Sequence, residues 1–227
     1  ETGRDIRIHV DGASGAMVAP FCQPELEWDF RIDRVNSIST SGHKYGLVYP
    51  GVGWVVWRNT AVCPESLIFH VSYLGGDMPT LALNFSRPGA QVLLQYYQFL
   101  RLGREGFRQV QQTSIDVATF LASAIGKMEP FELISRGDTI PVFAWKLVKG
   151  TRNWDLYDLA DRLRMRGWLV PAYPMPEQIA DLVVQRIVVR LGLSHDLAQL
   201  LLAAITEEVS FLESLAAPSP RPTERTN

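Results

Sequence analysis

Ser39-Thr40-Ser41-Gly42-His43-Lys44-Tyr45-Gly46 places one lysine in a loop of small residues, directly after the apolar stretch Val35 to Ser39. That stretch reads as a buried strand, so the lysine stands at a strand end. Gly42 and Gly46 allow the backbone to approach closely on either side of it. An amine held there can lose its solvation shell, lower its pKa and act as a nucleophile. His43 beside it offers a donor for a phosphate or a ring for stacking.

Upstream, Ile6 to Val10 reads as another short buried strand, and Asp11-Gly12-Ala13-Ser14-Gly15 as the loop leaving its C-terminal end. The pattern therefore predicts a buried carboxylate and an amine at two strand ends, where α/β sheets place their ligands. This pair suits pyridoxal phosphate. The lysine forms a Schiff base with its aldehyde, and an ionised aspartate keeps the pyridinium nitrogen protonated. A planar ring can lie against the small side chain of Ala13.

Other chemistries are poorly supported. Gly12-Ala13-Ser14-Gly15 is not a nucleophile elbow, because Ala16 stands where the second glycine belongs. Gly51-Val52-Gly53 lacks a third glycine and precedes a strand, which excludes a dinucleotide fingerprint. His9, His43, His70 and His195 have no metal-like spacing with cysteines or carboxylates, so no metal site is expected. The net charge of -2, with no basic block, gives nucleic-acid binding no electrostatic footing. No apolar run reaches the length of a membrane span. Cys22 and Cys63 form no disulfide framework and fit a reducing, cytoplasmic setting. The chain opens at Glu1-Thr2-Gly3, without a methionine and almost at a strand, so further sequence upstream is expected.

Along the chain, Pro20 to Arg34 is irregular and Val52 to Arg58 is a third strand. Gly75-Gly76 and Pro79 predict a flexible loop from about His70 to Asn84. From Pro88 to about Met128 the pattern is helical, with Val92, Tyr96, Phe99, Leu100 and Leu102 at helical spacing, then Val117, Phe120, Leu121 and Ile125. Gly103 and Gly106 divide it into two helices. Strands follow near 131–135, 142–148 and 181–189, with helices near 155–166 and 195–215. They predict antiparallel strands covered by helices. Residues 217–227 read as a disordered tail.

Several motifs occur together and in order: Val10 to Gly15, Ser39 to Gly46, Tyr73-Leu74-Gly75-Gly76, Asn84-Phe85-Ser86-Arg87-Pro88, Phe99 to Gly106 and Leu163-Arg164-Met165-Arg166-Gly167-Trp168. With them the chain resembles the pyridoxal-phosphate-dependent glutamate decarboxylases of the group II decarboxylase family, nearly throughout to about Leu215. The resemblance implies an α/β fold: the C-terminal part of an aspartate-aminotransferase-like (type I) large domain over 1–113, followed by a small α+β domain over 114–216. It implies decarboxylation of L-glutamate to γ-aminobutyrate, as part of a longer chain.

The resemblance also implies roles. Lys44 matches the Schiff-base lysine, Asp11 the pyridinium partner, and Ala13 the residue under the ring. Ser41 and His43 match groups near the cofactor phosphate. Phe85 and Ser86 match residues reaching the phosphate of a neighbouring subunit, which implies a homodimer. Tyr73 matches the tyrosine of a mobile loop that closes over the site and, with Lys44, the residues that return a proton. Arg186 matches the arginine that orients the substrate α-carboxylate; by its spacing alone it is a strand arginine facing solvent. The groups that choose glutamate lie upstream in the family, so a decarboxylase of another amino acid and a non-catalytic remnant stay open. Pro218 to Asn227 offers neither a histidine plug nor a calmodulin-binding basic helix.

Overall fold

β-branched and aromatic residues are concentrated in two strands of the first half of the chain, Gly53–Trp57 and Phe69–Tyr73. The computed structural model describes residues 6–73, 75–150 and 152–217. It divides into two compact units, 1–111 and 112–227. The tail expected from residue 217 lies, Ala217 apart, outside the described residues.

In the first unit β1 (Ile8–Asp11) runs parallel to β2 (Val35–Ser41), and β2 runs antiparallel to β3 (Gly53–Trp57), giving the order β1-β2-β3. β2 outlasts its apolar stretch because Thr40 and Ser41 pair with Trp54 and Gly53, and ladder hydrogen bonding outweighs their weak strand pattern. The irregular segment after β1 contains a single helical turn, α1 (Ala19–Cys22). Where a flexible loop is expected, β4 (Phe69–Tyr73) and β5 (Gly76–Thr80) form an antiparallel hairpin. Gly75, at φ +83°, makes its turn, and His70 Nδ1 lies 2.8 Å from Asp77 Oδ2 across the strands. Leu74 is outside the described residues.

The long helix α2 (Ala90–Ile125) is broken at Gly103 (φ 57°, ψ -168°), as its glycines predict, whereas Gly106 stays helical. Its apolar positions before the break are not the buried ones. Val92, Tyr96 and Leu100 are 46%, 62% and 67% exposed, while Gln95 is fully buried. Beyond the break Phe107 is buried and stacks on Phe21, with ring centroids 5.0 Å apart.

Here too Glu105 binds Arg108 through two oxygens (2.6 and 2.8 Å) and accepts from Gln109. These hydrogen bonds lower its pKa from 4.5 to about 2. A depressed carboxylate contributes stability above its unfolded pKa and loses it as pH falls toward the folded one. Glu105→Gln is therefore expected to flatten the loss of stability between pH 4.5 and about 2. Denaturant midpoints recorded across that range would show it; because the group is fully exposed, the change will be small.

The second unit is a four-stranded antiparallel sheet of β6 (Phe131–Leu133), β7 (Val142–Leu147), β8 (Ala172–Pro174) and β9 (Val183–Val188), in the order β6-β7-β9-β8. β8 goes unpredicted because it ends on Pro174 and lies between Pro171 and Pro176; as an edge strand it tolerates them. The core gathers Leu121 and Ile125 of α2 with Phe143 and Trp145 of β7. It is completed by α3 (Leu156–Met165), through Leu159 and Leu163, and α4 (His195–Glu213), through Ile205 and Leu212. A capping box starts α3: Asp155 accepts from the amides of Tyr157 and Asp158, and Asp158 accepts from the amide of Asp155. Buried Glu208 of α4 takes both Arg162 and Arg166 of α3, so its charge is paired. Cys22 and Cys63 are not joined in a disulfide.

Candidate active site

Parallel pairing of β1 with β2 brings their C-terminal ends side by side, with Asp11 opposite Ser39. The contact continues past the ladder, where the Ser41 amide donates to the Ala13 carbonyl at 3.2 Å. Asp11, Ala13, Ser41, His43 and Lys44 thus gather at one edge of one sheet. Gly12 permits that approach: a Cβ there would lie 2.6 Å from Ala16 Cβ and 2.8 Å from the Ser39 carbonyl oxygen.

Among the described residues Asp11 is exposed, where the sequence suggests burial; it ends β1, which pairs only with β2. Its Oδ1 accepts from the Ala13 amide at 3.0 Å and lies 3.4 Å from Ser39 Oγ. Among the described residues Oδ2 has no partner. His43 and Lys44 are half-buried, and Lys44 Nζ has neither a hydrogen bond nor an ion pair among the described residues.

The loop that carries Lys44 is closed by the Gly42 amide on the Val52 carbonyl (3.1 Å), and Val48 donates back to Gly42 (3.3 Å). Tyr45 anchors it, 2% exposed. Leu47 has φ +63°, an unusual value for a branched side chain and a sign of local strain. Glutamine amides hold the loop's carbonyls: Gln95 Nε2 donates to Gly46 (2.8 Å), Gln98 Nε2 to Leu47 (3.2 Å) and Gln111 Nε2 to Tyr45 (2.7 Å). The sequence reading misses these residues, although Gln91, Gln95 and Gln98, spaced like one helix stripe, carry the signal.

Gly42 and Gly46 pack on each other and on Gln95. A Cβ on Gly46 would meet Gly42 backbone atoms at 2.6 and 2.8 Å, whereas one on Gly42 would meet mainly the side-chain ends of Val52, Gln95 and Val48. Backbone yields less easily, so Gly46→Ala is expected to cost about 1–3 kcal/mol, and more than Gly42→Ala. Urea unfolding of both variants checks the order; equal costs would contradict it.

The remaining candidates are carried by other elements. Tyr73 ends β4 at the hairpin turn. Phe85 and Ser86 follow the hairpin; Phe85 is 70% exposed, and Ser86 adopts φ +54°. Arg186 belongs to the second unit, on β9, where it is exposed with its guanidinium 5.6 Å from the Tyr173 ring centre. Among the described residues no cluster could hold a metal ion, and no helix is long and apolar enough to cross a membrane.

Residues 2–148 match the pyridoxal-dependent decarboxylase conserved domain. The chain belongs to this family. It is 54% identical over 213 residues to a glutamate decarboxylase of Aliivibrio fischeri, covering 93% of this chain and 46% of that protein. With a glutamate decarboxylase of Lactococcus lactis subsp. lactis it shares 51% identity over 199 residues, 87% of this chain and 43% of that one. The chain therefore spans less than half the length of these curated relatives. The solved structure of Lactobacillus brevis glutamate decarboxylase superposes with a TM-score of 0.87 at 48% identity, over 92% of this chain and 48% of that one. A sphingosine-1-phosphate lyase of Burkholderia pseudomallei, 23% identical with a TM-score of 0.73 over 92% of this chain and 46% of that one, shares the fold alone. The fold is thus the C-terminal part of the type I pyridoxal-phosphate decarboxylase fold.

The family's cofactor is pyridoxal phosphate, and the residues at this sheet edge fit it. An acceptor oxygen of Asp11 and the amine of Lys44 are both uncommitted among the described residues. Small residues, Gly12, Ala13 and Gly42, separate them.

Proposed function

We propose that the chain carries part of the active site of an enzyme that releases the α-carboxylate of L-glutamate as carbon dioxide, leaving γ-aminobutyrate. The observation that carries this reading is the placement of Asp11 and Lys44 at adjacent parallel strand ends, in a chain about half identical to glutamate decarboxylases. Pyridoxal phosphate, when bound, supplies an electron sink for the bond to the departing carboxylate.

The residues of this chain then have separate tasks. Lys44 would hold the cofactor through its amine, which is the group that the substrate amine would displace. Asp11 would accept the ring N–H through its uncommitted carboxylate oxygen and so hold the proton at that nitrogen. Ala13 would lie under the ring, and Ser41 and His43 would hold the phosphate. Arg186 pairs with the substrate α-carboxylate and orients it. Tyr73 or Lys44 returns a proton to the carbon that the carboxylate leaves, and the segment around Tyr73 excludes water while it does so. Phe85 and Ser86 reach the phosphate of a neighbouring subunit, which makes the working form a homodimer. Two cysteines that form no disulfide support a reducing, cytoplasmic setting.

Carbon dioxide release, measured on the protein expressed from its complete reading frame, tests the reading. Glutamate should be decarboxylated in preference to aspartate and to aromatic amino acids. Release from one of those and not from glutamate would replace the substrate, and release from none would replace the activity.

A further inference from the structure

We infer that Gln95 is a positioning residue for Lys44: its buried amide, flanked by Gln98 and Gln111, clamps the loop that presents the amine. Carbonyls 45, 46 and 47 belong to a loop with no strand partner, and buried acceptors left without donors are costly. One glutamine amide meets each of them: Gln111 on Tyr45, Gln95 on Gly46 and Gln98 on Leu47. Gln95 and Gln111 are fully buried.

Burying glutamines on a helix that turns Val92, Tyr96 and Leu100 outward is unfavourable for transfer from water unless the amides are needed where they lie. Gln95 is central. It bonds Gly46 directly, and its Oε1 is the close neighbour that a Cβ on Gly42 or Gly46 would strike, at 2.8 and 2.6 Å. Both glycines flank Lys44 in sequence, so the glutamine sets the path of the chain before and after the amine. Gln98 holds the carbonyl of Leu47, the residue with the left-handed backbone. A strained conformation persists only where its surroundings determine it, and the stripe supplies that determination. Gln91 bonds Pro50 at 3.2 Å, at the far margin of the loop, and serves as the control.

This inference rests on reading Lys44 as the cofactor-bearing lysine, so its test uses one readout with the cofactor and one without. The protein from its complete reading frame is compared with Gln95→Leu, Gln91→Leu and Gln95→Glu. Without cofactor, amide hydrogen exchange of residues 42–48 should quicken about tenfold in Gln95→Leu and little in Gln91→Leu. With pyridoxal phosphate, borohydride-trapped adduct on Lys44 should form about tenfold more slowly in Gln95→Leu.

Gln95→Glu supplies the rescue. A buried carboxyl remains protonated at acid pH and can donate to Gly46, then loses that proton as pH rises. Its trapping rate should approach wild type at acid pH and fall increasingly below it toward alkaline pH. Unchanged loop exchange and trapping in Gln95→Leu overturn the inference, as does a Gln95→Glu profile that follows wild type. Quickened exchange throughout residues 6–111, not confined to the loop, also overturns it, since that is ordinary destabilisation. If wild type traps no cofactor on Lys44, the functional reading fails instead, and loop exchange alone then decides whether the clamp exists.

Discussion

Lys44→Ala is expected to lower carbon dioxide release from glutamate by a factor on the order of a thousand or more, and to abolish borohydride-trapped pyridoxal phosphate at this loop. The size follows from the proposed task. A residue that bonds the cofactor covalently and later hands it to the substrate has no substitute among neighbours that are serine, glycine and histidine. The structure lets the loss be read cleanly, because Lys44 Nζ makes no hydrogen bond or ion pair among the described residues. Truncating it removes no visible stabilising contact, so thermal unfolding should move by only a small amount. Peptide mapping of the trapped adduct decides the assignment. Equal labelling of wild type and Lys44→Ala would move the site to another lysine.

Trp145→Ala should have the largest effect on stability, about 3–5 kcal/mol out of the 5–15 kcal/mol typical of a domain. Trp145 is fully buried in the middle of the second unit, stacked on Phe143 at 5.7 Å and meeting the Phe131 ring edge at 6.1 Å. Losing the indole opens a cavity walled by rings on β6 and β7, which ladder hydrogen bonds hold in place, so the cavity cannot collapse freely. The comparison is Tyr96→Ala. Tyr96 is just as aromatic and sits at a helical spacing that suggests a core position, yet it is 62% exposed. Its removal should cost about 0.5 kcal/mol or less. Chemical denaturation of both variants measures the contrast, and equal costs would refute the burial pattern.

Much of the architecture is legible because it is local. β3 announces itself by its run of valine and tryptophan, and the break in α2 by Gly103. What escapes depends on pairing. β8 lies among prolines and exists because β9 offers it an edge; the β4–β5 hairpin follows from cross-strand register where glycines suggest only flexibility. At the candidate site, the lysine loop and the aspartate show themselves by their small neighbours and preceding strands. The glutamine stripe does not, since glutamine on a helix ordinarily signifies a solvated face.

The order of residues by itself determined that Lys44 and Asp11 stand at strand ends, that a helical, partly antiparallel second unit follows, and which family the motifs resemble. These are properties of short segments and their succession. Only the tertiary structure decided that the two strands are neighbours, that Asp11 is open to solvent, and that α2 turns glutamines inward and leucines and tyrosines outward. Periodicity shows that a helix has faces; the glutamine hydrogen bonds to the lysine loop's carbonyls mark which of them meets that loop.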